Sequence, residues 1–493
     1  MTREGREIRG IFCVLLLASL ASACSGGAPD DAPFFYEPKG LPEGVDAPRN
    51  AHSETPELMA VGYVGGCTGV LLDVEGPPDA PAYALTAGHC VGYDRWLPNE
   101  ISVGFVAAVP QFAANTFWDT FSISFSIDYV AYQTMHLRDI AVLRLRETNA
   151  EVLARSVIPL RIAQSAPARG EPISIVGHPN SGPLLRSRCE NGERTYLAED
   201  EFLFHETSNA CAEIAPGSSG SPVLNTNNEI FGVLSTGAGS GRPCTLNNPC
   251  DLSQPELVNA ATGTSYFADV ARLGDCFVDG RFELDAPECP LAKPTLTTAQ
   301  RGIARYVQSR ADALATWNVS LANSPLPYYR FKAGAAQKTR CDDERGYGAT
   351  RTVAAQPTID DALPAQEGMY VLCVEGSLDG HSFAKADAAP SLLSEVDNTP
   401  PPVPEQSDIG VHSLNQVVSA WLSVDSIEHT KLYYRLQTPG QTDCALAESD
   451  LVVTTSIAIS RLPGDPRQEL CVTAEDAAGN RSESARLTLA ALP

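Results

Sequence analysis

Three short segments, far apart in the chain, restrict its possible folds more than any other feature. Gly217-Ser218-Ser219-Gly220-Ser221-Pro222 sets a serine among small residues where the main chain can turn tightly. Its hydroxyl and the neighbouring amides then face one space, which attack on a carbonyl requires. Upstream, Thr86-Ala87-Gly88-His89-Cys90 follows the strand-like Ala82-Tyr83-Ala84-Leu85, and Asp139-Ile140-Ala141-Val142-Leu143-Arg144-Leu145 opens another alternating strand. Taken singly, each has a bland explanation, because Gly/Ser runs are ordinarily turns and a lone aspartate can simply end a strand. Together they fall in the order His, Asp, Ser, with 50 positions from residue 89 to 139 and 80 from 139 to 219. That is one of the few orders in which a base, its orienting acid and a serine nucleophile occur. In that chemistry His89 removes the Ser219 proton, Asp139 holds the imidazole tautomer, and the amides of Gly217 and Ser219 form an oxyanion hole. His178 and His205 read as structural histidines.

By these residues the chain resembles the chymotrypsin-like (trypsin-fold) serine proteases, over roughly residues 53 to 275. The resemblance implies two antiparallel β-barrels with the triad at their junction, and a Cys67–Cys90 bridge fastening the histidine loop. It implies that Ser235 hydrogen-bonds Asp139, and that the main chain of Ser235, Thr236 and Gly237 pairs with an extended substrate. It sets Glu213, six positions before the nucleophile, at the floor of the primary specificity pocket, which would favour lysine or arginine before the scissile bond. The alternative is a solvent-facing Glu213 on a loop altered at Ala215 and Ser218, with a small or apolar preference. Leu234, where glutamyl endopeptidases carry a histidine, argues against glutamate preference. A C-terminal helix is expected over 265–273. Two departures stand out: Ser218 replaces the aspartate that pairs with a new N-terminal amine in cleavage-activated members, and Ala215 stands where the family has a cysteine. No Ile-Val-Gly-Gly-like sequence precedes the first strand, so maturation through that ion pair is not expected. In this respect the chain is closer to bacterial glutamyl endopeptidases.

At 493 residues the chain is too long for one such domain and has room for about three folded units. Its net charge of −25 argues against nucleic acid and anionic membrane surfaces as partners, since both attract basic proteins. Residues 1–23 read as a signal peptide: Arg3, Arg6 and Arg9 precede the apolar stretch Ile11 to Leu20, which is too short to span a bilayer. Ala21-Ser22-Ala23-Cys24 leaves two fates open, ordinary cleavage or lipoprotein processing with acylation of Cys24. Cysteine parity favours the lipoprotein, because the twelve cysteines after Cys24 form six neighbouring pairs suited to an oxidising compartment. These are Cys67–Cys90, Cys189–Cys211, Cys244–Cys250, Cys276–Cys289, Cys341–Cys373 and Cys444–Cys471. No Cys/His spacing points to a metal, and no cofactor is implied.

Residues 24–52, rich in Gly, Pro and Asp, read as a tether, 53–275 as the protease domain and 276–300 as a disulfide-containing linker. A repeat follows. Trp317, Tyr328-Tyr329-Arg330, Cys341 and Leu372-Cys373 recur as Trp421, Tyr433-Tyr434-Arg435, Cys444 and Leu470-Cys471. The copies, 301–391 and 406–493, flank a Pro-rich linker at 392–405 and resemble immunoglobulin-like or fibronectin type III-like β-sandwich modules. Their recurring aromatic residues are expected in the cores. The expected fold is therefore mainly β, a trypsin-like double barrel followed by two small sandwiches. The expected function is that of an exported serine endopeptidase acting on proteins or peptides, as a cell-envelope lipoprotein or a secreted protein. Any membrane contact would run through the N-terminal anchor. The alternative is a non-catalytic adhesion or scaffold protein that uses a protease-like domain for binding.

Overall fold

The computed structural model describes residues 40–489 apart from 49–54, 93–100, 108, 110, 115–122, 240, 255–256, 294–303, 323, 384–389, 415–416, 424–429, 442–443, 445–450, 455 and 462–468. For 409–423 and 451–461 it describes the main chain alone. The expected signal peptide, Cys24 and most of the tether lie outside the described residues.

Apolar residues at nearly every position of Cys67–Asp73 and Pro81–Thr86 mark strands buried on both faces. They belong to a first barrel built from β1 (Val61–Val64), β2 (Cys67–Asp73), β3 (Pro81–Thr86), β4 (Gln111–Ala114), β5 (Ile123–Thr134) and β6 (Ile140–Thr148). Antiparallel pairing runs β1–β4–β5–β6–β3–β2, and β2 returns to β1, so the sheet closes and these strands leave no open edge. A second ring contains β7 (Pro172–Gly177), β8 (Leu185–Glu199), β9 (Phe202–Asn209), β10 (Pro222–Leu224), β11 (Ile230–Gly237) and β12 (Ser265–Asp269). Its order is β8–β7–β10–β11–β12–β9, closed by β8 with β9. The fold is mainly β and trypsin-like, as the sequence led us to expect.

The helix expected over 265–273 is instead strand β12. Tyr266 packs with Phe202 and Phe204, whereas the next residue, Phe267, meets Phe231 edge-on with ring centroids 5.4 Å apart. Successive side chains thus serve different clusters, as strand geometry demands. Hydrogen-bonding to β9 and β11 decides what a short apolar run left ambiguous. The segment after it is also more than a linker. Cys276, Cys289 and Leu291 join the core of the first barrel, the Phe282 amide donates to Tyr83 Oη at 3.1 Å, and Tyr132 Oη donates to the Ala292 carbonyl at 3.2 Å.

The first C-terminal unit is a sheet in the order 306–307, 391–396, 368–377, 328–335, 351–352, with a separate pairing of 319–320 and 358–359. Ser391–Val396 is therefore a strand of this sheet, although the sequence placed nearly all of it in the Pro-rich linker. Trp317 and Tyr329 are buried in its core. The second unit pairs 409–414, 417–423 and 456–461 in one sheet and 451–454, 431–437, 469–475 and 485–488 in another. The Trp421 side chain lies outside the described residues. Asn398 ties the start of the Pro-rich segment to the first unit, with Oδ1 accepting from the Ser309 amide at 2.9 Å and Nδ2 donating to the Ser309 and Ala365 carbonyls at 2.9 and 3.1 Å. All six neighbouring cysteine pairs are disulfides.

One apolar cluster unites Ala198, Leu203 and Leu252 of the second barrel with Met369, Val371 and Leu393 of the first sandwich. Polar contacts border it: His205 Nδ1 and Asp342 Oδ2 are 3.2 Å apart, and Arg305 Nε donates to the Asp200 carbonyl at 2.6 Å. Because the cluster is continuous, residues 40–396 should unfold in a single transition, and Leu393→Ala should cost about 2–5 kcal/mol across it. Chemical denaturation followed by tryptophan fluorescence and circular dichroism checks this, and separate transitions for barrel and sandwich would contradict it.

Candidate active site

Strand β3 ends at Thr86, and the turn that follows carries His89 to the gap between the barrels. Asp139, directly before β6, is 2 % exposed and meets the histidine twice. The His89 amide donates to Oδ1 at 2.9 Å, and Nδ1 lies 2.6 Å from Oδ2, where a carboxylate can only accept. The Ser235 hydroxyl adds a third bond, donating to Oδ2 at 3.2 Å. Burial works against the imidazolium form of His89, but attraction to Asp139 outweighs it and holds the pKa above that of an ordinary histidine.

Ser219 stands on a turn sewn to the other barrel. Gly217 and Gly220 have φ of 95° and 82°, in the left-handed region that suits glycine, and a Cβ on Gly220 would lie 2.0 Å from the Thr68 carbonyl oxygen. The Gly220 amide donates to the Leu234 carbonyl at 2.7 Å, and the Ser219 carbonyl accepts from the Thr68 amide at 2.8 Å. Thr68 Oγ1 donates to the Gly217 carbonyl at 2.8 Å and accepts from the His178 amide at 3.1 Å. The amides of Gly217 and Ser219 donate to no described main-chain or side-chain acceptor. Ser219 Oγ rests against the Ser235 carbonyl at 3.4 Å. Ser218 is buried, and its Oγ accepts from the Ala215 amide at 3.3 Å, a neutral contact.

His89, Asp139, Ser219, Ser235 and Thr236 line one cavity of about 90 Å³, together with Met135, Glu199, Phe202, Phe204, Leu246 and Asn247. Glu213 is absent from this lining. It is exposed, with a φ of 59°, so the expected buried pocket floor is not formed by this residue. The loop lacks the cysteine tether that would draw it inward, since Ala215 stands there. Gly237, at the end of β11, is half-buried beside the cavity-lining Thr236. His178 is buried, stacks on Tyr63 with centroids 3.9 Å apart, and has its pKa pushed down to about 4 by burial. Like His205, which stacks on Tyr196, it is a packing residue. The sulfurs of Cys67 and Cys90 flank His89, but their disulfide leaves no thiolate to bind a metal.

Two acids escaped the sequence reading. Glu199, at the end of β8, is 4 % exposed, and its pKa is pushed up to about 7 by burial. Glu206, in β9, is fully buried, and its Oε1 accepts from the Asp139 amide at 3.3 Å. Burial first, and Asp139 second, push its pKa well up. In sequence both look like polar positions of half-exposed strands, and their burial depends on ring closure. The signal available was the apolar company they keep, in Leu197-Ala198-Glu199 and Phe202-Leu203-Phe204-His205-Glu206.

Comparison with known proteins gives a match of residues 67–233 to the family model of the trypsin-like peptidase domain. Among solved structures, a Glu endopeptidase in complex with MPD is similar at 21 % identity, covering 40 % of this chain and 86 % of that one, with a TM-score of 0.29. The M. tuberculosis protease Rv3671c in its active form matches at 12 % identity over 48 % of this chain and 91 % of its own, with a TM-score of 0.28. Human heparin binding protein matches at 16 % identity over 50 % and 99 %, with a TM-score of 0.30.

If His89 acts as a base, kcat/KM should rise with pH through a midpoint above the roughly 6.5 of an ordinary histidine. Asp139→Asn removes the attraction, so the midpoint should fall while turnover drops by about ten-thousand-fold. A pH–rate series on both proteins measures each effect. Thr68→Val strands the Gly217 carbonyl and the His178 amide, at about 1–3 kcal/mol for each unmet buried group. It should lower both the denaturation midpoint and turnover.

Proposed function

We propose that this chain, whose residues 67–233 form a trypsin-like peptidase domain, is an exported serine endopeptidase that cuts peptide bonds through an acyl-enzyme. One observation carries it above the others: Asp139 grips both the main chain and the ring of His89 on the wall of a cavity that also receives Ser219.

In the proposed reaction His89 Nε2 takes the Ser219 proton as Oγ attacks the substrate carbonyl. The oxyanion of the tetrahedral intermediate accepts from the amides of Gly217 and Ser219, which have no acceptor among the described residues, in support of this assignment. His89 then gives its proton to the leaving amine, and a water molecule, deprotonated in turn by His89, releases the acid from Ser219. Removing one oxyanion donor of this kind costs about a hundred- to a thousand-fold in rate. The Asp139 carboxylate stabilises the imidazolium at each step. The neutral Ser218–Ala215 contact supports an enzyme that needs no newly cut N-terminus, and the pairing of all twelve later cysteines among themselves, which leaves Cys24 over, supports lipid anchoring after export.

Incubation of the purified protein with a fluorophosphonate probe and a mixed peptide library should label Ser219 and yield cleaved peptides, with both lost in Ser219→Ala. Persistent labelling of that variant would remove Ser219 from the nucleophile role. Forms beginning at different residues between 30 and 40 should be equally active, and a sharp gain at one particular terminus would point to an amine-triggered site instead. Mass spectrometry of the mature N-terminus should find diacylglyceryl-modified Cys24, whereas an unmodified terminus would overturn the anchor.

A further inference from the structure

Gly217 carries no side chain, so the peptide that precedes it is free to rotate, and half a turn would exchange the places of its two polar groups. The Pro216 carbonyl and the Gly217 N–H belong to that one planar trans peptide and point in opposite directions. Whatever grips the carbonyl therefore aims the N–H. The grip comes from the turn between β7 and β8, where the Asn180 amide donates to the Pro216 carbonyl at 2.6 Å. The same turn lies directly behind Gly217, on which a Cβ would meet the His178 carbonyl oxygen at 2.7 Å and the Ser181 nitrogen at 3.1 Å.

The turn does not hold itself. Asn180 and Ser181 both have a φ of 53°, in the left-handed region, and successive non-glycine residues keep that conformation only where their surroundings over-determine it. Within the turn the Ser181 amide donates to the His178 carbonyl at 3.2 Å, and the Gly182 amide to the Pro179 carbonyl at 2.9 Å. From the first barrel, Tyr63 of β1 adds two contacts. Its Oη donates to the Gly182 carbonyl at 2.7 Å, and its ring stacks on His178 with centroids 3.9 Å apart. His178 Nδ1 donates to the same carbonyl at 3.1 Å, so the Gly182 oxygen has two donors.

We propose that Tyr63 is a positioning residue that acts through the 178–182 turn to hold the Pro216–Gly217 peptide with its N–H facing the oxyanion. The inference rests on the endopeptidase function proposed above. Thr68 grips the peptide after Gly217, by way of the Gly217 carbonyl, and Tyr63 serves the one before it. Tyr63 is not among the residues that line the cavity, so it touches no reacting atom. Its loss should weaken the binding of a developing oxyanion and leave the binding of uncharged substrate as it was, which separates kcat from KM.

The test uses the full-length protein, a peptide that it cleaves, and two inhibitors of the same sequence. A peptide aldehyde forms a bond from its carbonyl carbon to Ser219 Oγ, the π pair moves to the oxygen in the hole, and the hydroxyl proton passes to His89. A reduced-amide peptide has a methylene at that point and no such oxygen. Tyr63→Phe keeps the ring stack and leaves the Gly182 carbonyl its bond from His178. It should lower kcat about ten-fold with KM unchanged, a part of the hundred- to thousand-fold that a lost oxyanion donor costs. Aldehyde affinity should fall by the same factor, and that of the reduced amide should not move. Equal weakening of both inhibitors, as a merely structural role would give, or an unchanged kcat, would overturn the assignment. His178→Phe, which keeps an aromatic ring against Tyr63 and removes the other donor, offers the same comparison if Tyr63→Phe misfolds. In the unmutated protein the amides of 180–182 should exchange hydrogen about ten-fold or more slowly than in a free peptide, and exchange at the free-peptide rate would overturn the strut without any variant. A parent that neither takes up fluorophosphonate nor cleaves peptides would instead overturn the endopeptidase function.

Discussion

Thr68 is the joint on which the site depends. Its amide, hydroxyl and carbonyl are all engaged, with the Ser219 carbonyl, with the Gly217 carbonyl and His178 amide, and with the Thr86 hydroxyl at 2.7 Å respectively. One residue of the first barrel thus fixes the nucleophile turn of the second, and at the same time the end of β3 from which His89 hangs. Cys67, its neighbour, is bonded to Cys90 on the far side of the histidine. In the proposed chemistry a base and a nucleophile carried on separate barrels need such a strut, because a misplacement of about 1 Å can cost a hundred-fold in rate. Thr68 is fully buried, so these bonds form away from competing water.

Around His89 the chain gathers Asp139, Glu199 and Glu206, three acids in a low-dielectric setting. They cannot all ionise cheaply. Asp139 is the best served by hydrogen bonds, from the His89 amide, the His89 ring and the Ser235 hydroxyl. Burial first, and the neighbouring Asp139 as a further cause, make both of the others hold their protons more tightly than an ordinary glutamate. The arrangement favours the protonated form of the His89 ring and leaves Glu199, its pKa pushed up to about 7, at the cavity wall.

The candidate constellation that the structure brings together was legible because each member sits in a short motif: a Gly/Ser turn, a histidine after a strand, an aspartate before one. The cysteine pairs were legible because every bridge joins neighbours in sequence. Residues whose role depends on where remote strands meet were not. Glu199 and Glu206 become cavity and core groups only after β8 and β9 close the second ring. Glu213 fails in the opposite sense, since its assignment assumed a loop path that the family holds with a cysteine at the position of Ala215. Tyr266 and Phe267 fit a helical spacing and a strand alternation equally well, and only pairing partners separate the two. Thr68 carried no warning beyond its place beside Cys67, because a buried threonine ordinarily packs without organising anything.

The first sandwich is coupled to the cavity through the loop that supplies Leu246 and Asn247. Arg242, at the foot of that loop, donates to Glu395 at 3.2 Å and lies 3.7 Å from Asp397, both on the sandwich side. Cys244–Cys250 cinches the loop, and its two cysteines belong to the apolar cluster shared with Met369 and Leu393. The Asn247 amide that completes one oxygen of Glu199 is therefore positioned by contacts belonging to a different folded unit. A barrel pair alone would leave this wall on a surface loop, where backbone freedom is greatest. The first C-terminal unit backs this wall with the shared apolar cluster and the Arg242–Glu395 bond, so loosening that packing would loosen the cavity wall as well.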